Sequence, residues 1–175
     1  RRMDAIIMGI MDGLMAIPAS LLAIALVSIS KAGVAAVIAA IAVPEIPRVV
    51  RLVRAVVLSV REEPYIEAAI AAGTRTPSLI IRHILPSTYS PLIVQATYIC
   101  ATAILVEAIL SFLGVGIPPQ TPTWGNIMAE GRTLFRACPH TVLWPGLFVG
   151  LTVLSINMLG DALRDTLDAR MRGQL

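Results

Sequence analysis

Charge is scarce in this chain. Of its 175 residues only 14% are Asp, Glu, Lys or Arg, and 57% are hydrophobic; a soluble domain carries about 25% charged residues. So little polar surface cannot cover the chain in water. That excludes an ordinary soluble domain and points to an all-α, polytopic membrane bundle. Lysine is scarcer still, with Lys31 in SISKAG the single example. A phosphate-binding loop needs Gly-Lys-Ser/Thr after a glycine-rich turn, so the chain does not bind ATP by that route. Cysteine is limited to Cys100 and Cys138, which lie far apart and show no CxxC or other metal spacing. That excludes a disulfide or metal framework, and Cys100, in an apolar run, reads as a free buried thiol. His83 and His140 have no partner at ligand spacing, so nickel ligation by His140 is a weak reading. No catalytic residue, cofactor site or metal site is expected, and no nucleic-acid partner. The first residue is Arg1, and no signal-peptide cleavage pattern follows it, so the chain reads as a fragment lacking its natural N-terminus.

What is there is apolar and helical. A bilayer core needs about 20 apolar residues of helix. Four runs meet or approach that length, at about residues 13–30, 32–53, 89–113 and 141–163. The first two are separated by a few residues around Lys31 and Gly33, which requires a tight helical hairpin. If Arg1 and Arg2 lie on the cytoplasmic side, 11 of the 14 basic residues lie there with them, and only Lys31, Arg132 and Arg136 lie outside. The positive-inside rule then makes residues 61–87 a cytoplasmic loop and residues 114–140 an outer loop. The Pro- and Gly-rich outer loop, with Trp124, reads as a lid on the bundle at the membrane interface. Arg48, Arg51 and Arg54 share a helical face where the second run leaves the membrane, and are expected to snorkel to lipid headgroups.

Acids in or near the membrane are functional candidates. Asp12 is expected to complement a helix dipole near the cytoplasmic end of the first run. Glu107, toward the outer end of the third run, is the candidate for the translocation path, where it could meet a peptide amino terminus or a cation. A structural partner inside the bundle is the simpler reading of both. Gly146 and Gly150 form a GxxxG pair, read as ordinary helix packing within the subunit, and Asn157 is read as a hydrogen-bond anchor.

The loop from Arg61 reads REEPYIEAAIAAGTRTPSLIIRHILPSTYSP. Pro64 can open a helix, Glu67 to Ala72 favours one, and Gly73 can end it. Thr76 and Pro77 suit an N-cap and first turn, which predicts a second short helix over Leu79 to Leu85, closed near Pro86. Such a loop is too polar to span and too patterned for a slack linker, so it suggests a docking surface.

Glu67-Ala68-Ala69, then Gly73, then Ile84-Leu85-Pro86 resembles the EAA loop of ABC importer permeases. RHILP, SFLGVGIPPQTPTWGNIMAEGR and NMLGDALRDTLDARMR are similar to the dipeptide, oligopeptide and nickel permeases, specifically their C-type subunit, along essentially the whole chain. Ser87 stands where the family often has Asn, and Ala169 where it usually has Pro. The resemblance implies a single transmembrane permease domain of the type I importer fold, holding four of an expected six membrane helices, in a bacterial or archaeal cytoplasmic membrane. It implies that Glu67, Ala68, Ala69, Gly73, Ile84, Leu85 and Pro86 form the coupling element. The implied partners are a second homologous permease subunit, two cytoplasmic ATP-binding subunits, a periplasmic or surface substrate-binding protein, and lipid. The cargo would be a di- or oligopeptide, glutathione or nickel. The alternative, an ion-coupled secondary transporter or channel subunit, predicts charges lining a path at the midplane, whereas Asp12 and Glu107 lie near the ends of their runs.

Overall fold

A computed structural model of the protein describes residues 2–29 and 33–172, with side chains to Leu167. The hairpin turn expected at Lys31 lies outside the described residues, as do Arg1 and the side chains of Arg170 and Arg172. Seven helices make up the described fold: α1 (Arg2–Met15), α2 (Ala19–Ile29), α3 (Val34–Val60), α4 (Pro64–Ala71), α5 (Thr76–Phe112), α6 (Trp124–Gly131) and α7 (His140–Arg172). Two of them, α5 and α7, are long and apolar enough to cross a membrane, or three spans if α1 and α2 act as one bent pair.

The first expected span is broken. Helix α1 ends at Met15, and α2 leaves it at 87°. Pro18 supplies the reason, since it has no N–H to donate backwards and disfavours helix at the residue before it. Its carbonyl instead accepts from Leu22 N at 3.0 Å and opens α2. Helix α2 has 11 residues, about 16 Å of rise, which is half of a bilayer core. Helix α3 runs unbroken past Pro44 and Pro47 for 27 residues. It is long enough to cross, but any membrane-length stretch of it carries Glu45, Arg48 and Arg51.

The arginine row on α3 is exposed or half-exposed, and each member is also paired. Arg48 donates to Glu45 at 2.8 Å, Arg51 to Asp12 at 2.6 Å, and Arg54 grips Asp4 through two bonds of 2.7 and 2.9 Å. Asp12 sits in the last turns of α1, where the helix dipole disfavours a carboxylate. Its structural partner is Arg51, and the dipole role expected for it does not apply.

The core is small and lies where α2, α3 and α5 meet: Ala23, Val27, Val37, Ala40 and Leu110. Alanine at the contact lets helix backbones approach closely. On the far side of α5, α6 and α7 come nearer still. A Cβ on Gly125 would sit 2.6 Å from the Ala108 carbonyl, and one on Gly160 would collide with Thr97. The expected GxxxG pair behaves differently. Gly146 faces Met128 at ordinary contact distance, and Gly150 faces open space. Among the described residues close helix approach therefore falls at Gly125, Gly131 and Gly160, and Gly150 has no part in it.

Two further expectations are corrected. Cys100 is exposed rather than buried, because it points off the outer face of α5. Asn157 is also exposed and anchors nothing among the described residues. Only 11% of the apolar stretch of either α5 or α7 is buried, so both helices present greasy faces suited to lipid or further protein.

Gly125→Ala and Gly150→Ala should therefore part company. The first forces α5 and α6 apart, an overpacking cost of about 1–3 kcal/mol, and should lower the melting temperature of the detergent-solubilised full-length protein by several degrees. The second adds a methyl into open space at a helical position and should leave melting unchanged or raise it. Equal melting of the two variants would contradict this packing.

Candidate functional site

The polar loop is anchored at two points. Pro64 occupies the first turn of α4 after an extended Glu63. Ile66 (1% exposed) and Ile84 (6% exposed) turn inward and pin the loop to the body. Tyr65 on α4 meets Ser87 on α5 at 3.4 Å between hydroxyl oxygens. With the inward side held, Glu67 and Ala68 face outward, Ala69 is half-buried, and Gly73, Leu85 and Pro86 are exposed. Ile70, Ile80 and Ile81 are exposed alongside them, with Arg75 and Arg82.

Gly73 closes α4 with two reversed bonds, from Gly73 N to Ile70 O at 2.9 Å and from Thr74 N to Ala69 O at 3.1 Å. This Schellman arrangement satisfies carbonyls that the helix end leaves open and needs a left-handed residue at the position Gly73 fills. Its φ is +80°, which an L side chain rarely adopts.

The second half of the loop differs from expectation. Residues 79–85 do not form a separate short helix. The helix begins at Thr76, with Arg75 as its extended cap, and continues without interruption to Phe112. Pro86 lies inside it. The turn just before Pro86, Ile80–Ile84, is widened to π geometry, with Leu85 N–H reaching back to Ile80 O. A wide turn gives the proline ring room that a normal α turn denies it. His83 lies in this turn half-buried, with Nδ1 buried and without a partner. The sequence-predicted loop residues are thus gathered at one end of α5.

Glu107 is at the other end, about 33 Å from Leu85 along the helix by its rise. It is half-buried and accepts from Ser111 Oγ at 2.7 Å, so it has the partner inside the bundle that the simpler reading gave it. Among the described residues it is also the one ionisable residue on the wall of an open cavity of about 510 Å3, lined by Val37, Ile41, Ile104 and Trp124 among others. Ser111 Oγ in turn receives Ile117 N at 3.2 Å. Asn126 (6% exposed) spreads its amide over the carbonyls of Ile117, Pro118 and Thr121 at 3.1, 3.3 and 2.9 Å. Thr123 caps α6 by accepting from Asn126 N at 3.1 Å. The segment between α5 and α6 is therefore held by a polar chain from Glu107 through Ser111 to Asn126, with α6 wedged against α5.

Sequence reasoning missed Asn126, Ser111 and Glu45. Thr three residues before Asn126, at the start of a helical pattern, was a legible cap signal. Ser111 with Glu107 four residues before it, and Glu45 with Arg48 three residues after it, were legible as helical pairs. Among the described residues no three His, Cys, Asp or Glu side chains gather into a metal-binding group, and His140 is exposed at the start of α7.

Comparison with known proteins finds transport permeases. The chain is 54% identical over 172 residues to the "Probable peptide ABC transporter permease protein y4tQ" of Sinorhizobium fredii, covering 98% of this chain and 59% of that protein. It is 44% identical to the dipeptide transport system permease protein DppC of Alkalihalophilus pseudofirmus, over 98% of this chain and 57% of the relative. It is also 44% identical to the glutathione transport system permease protein GsiD of Escherichia coli, over 97% of this chain and 56% of the relative. The chain thus spans between half and two thirds of the length of these relatives. A family model matches residues 1–173. On that match, the chain belongs to the family of binding-protein-dependent transport system inner membrane components.

Proposed function

We propose that this chain is the larger part of a permease subunit of an ATP-driven, binding-protein-dependent importer, with peptides as cargo. It would line the translocation path together with a second homologous permease subunit. ATP hydrolysis would occur in two separate cytoplasmic subunits, and a periplasmic or surface binding protein would deliver the substrate. The permease relatives above, named for peptide, dipeptide and glutathione transport, support this reading and the choice of cargo. We further propose that the chain contributes four of six membrane helices to a type I importer fold, with α3 as a span despite its arginines and the α1–α2 pair as one bent span.

The observation that carries the proposal is the build of the polar loop. Helix α4 is anchored by Ile66, yet offers Glu67 and Ala68 outward beside exposed isoleucines. That mix of charge and exposed apolar surface suits contact with a soluble partner. The second half of the loop is the first part of α5 itself. A push on the loop therefore enters a single helix, 37 residues long, whose other end carries Glu107 and the outer loop. ATP binding would draw the ATPases together, move α4 and tilt α5. The path would then open outward to receive peptide, and hydrolysis would reset it. Glu107, the one carboxylate on the wall of an apolar cavity, is the residue proposed to face the path.

Glu67→Lys reverses a charge at the proposed contact. Gly73→Pro removes the donor to Ile70 O and forbids the positive φ that closes α4. In the full complex, each should leave membrane insertion intact while reducing binding-protein-stimulated peptide uptake at least about tenfold, the scale of a 1.4 kcal/mol loss at an interface. Copurified ATPase per permease and uptake are the quantities to measure. Wild-type values of both in both variants would sink the coupling role.

Sidedness has its own test. With the loop proposed as cytoplasmic and α6 as outer, Trp124→Cys should react with a membrane-impermeant thiol reagent from outside, and Glu67→Cys only from inside. These variants are made in a protein freed of its native cysteines. Labelling of Trp124→Cys from the cytoplasm alone would invert the topology.

A further inference from the structure

Glu45 is a charged residue buried in the middle of α3, with 7% of its surface exposed. Its Oε1 accepts from Arg48 at 2.8 Å. Its Oε2 is fully buried and has no protein partner. Leaving a carboxylate oxygen unbonded away from water is costly. A second acceptor nearby is also short of a donor. Ala40, 0% exposed, would normally have its carbonyl bonded by the N–H of residue 44, but Pro44 has none. Beside these groups lies a chamber of about 20 Å3 walled by Ala19, Ala23, Ala40, Glu45, Thr102 and their neighbours.

We propose that this chamber is a binding site for a single water molecule. The water donates one proton to Glu45 Oε2. The other goes to an acceptor on the wall, the Ala40 carbonyl or Thr102 Oγ1, whose own proton is given to Tyr98 O at 2.9 Å. Size admits water: a site needs about 10–15 Å3 for a first molecule, and the chamber offers about 20 Å3. Charge selects water over a cation. Arg48 already neutralises Glu45, and a further positive charge would be desolvated without a counter-charge. The site does not depend on the permease reading, and Oε2 itself is buried within the described residues. The water completes the bonding of α3 where its two prolines remove donors, as buried waters do for proline-broken helices in membranes.

The test uses a pair of equal shape in the full-length permease, Ala23→Thr and Ala23→Val. Ala23 is 2% exposed on the chamber wall, so either side chain displaces the water. Threonine brings a hydroxyl donor in its place; valine brings none and leaves Oε2 unbonded. A23V should melt at least about 3 °C below A23T, and the gap should close when Glu45 and Arg48 are both changed to Met. A23V melting at or above A23T in the native background would mean a dry apolar chamber and overturn the proposal. Should neither variant fold, a water-resolving map of the wild-type complex decides. A single density peak between Glu45 and the chamber wall supports the site, and no peak there refutes it.

Discussion

In lipid, helices gain little from hiding apolar surface against one another, so close packing and the few available polar contacts must hold them together. In this chain both converge on α5. Gly125 brings the backbone of α6 against Ala108, and Gly160 brings α7 against Thr97. Alanines 23 and 40 do similar service on the opposite side, where α2 and α3 meet Leu110. The small residues set the distances. The polar chain from Glu107 through Ser111 to Asn126 then fixes the segment between α5 and α6 to the same helix.

This arrangement places two polar regions at opposite ends of one rigid element. At one end α4 is pinned by Ile66 and closed by Gly73, with Glu67 turned outward. At the other, Glu107 faces an apolar cavity shared with Trp124. The widened turn before Pro86 lets α5 pass through a proline without breaking. Helix α4 joins α5 through the short turn at Gly73 to Arg75, and from Thr76 onward motion proposed to enter at the loop has one continuous helix to follow.

The three arginines of α3 are each paired with a carboxylate. Arg51 and Arg54 tie α1 to α3 through Asp12 and Asp4, across the sharp bend that Pro18 makes. Arg48 is held within its own helix by Glu45. A helix carrying three arginines at three-residue spacing is thus partnered along that face.

The sequence by itself determined the class, the long apolar helices and the loop between them, because composition, run length and local signals such as Pro64 and Gly73 act within a few residues. It also determined the family, through motifs that need no geometry. The tertiary structure alone decided which residues meet. The 87° bend before α2 and the fusion of the second short helix into α5 depend on what each segment packs against, because proline only weakens a helix locally and context settles whether it breaks. Asp4 with Arg54 and Asp12 with Arg51 lie 50 and 39 residues apart, beyond any local pattern. Gly150 looked like a packing position, and Gly125, Gly131 and Gly160 proved to be the tight ones. A glycine's spacing along a helix says where a close approach is possible; only the neighbouring helix says where it happens.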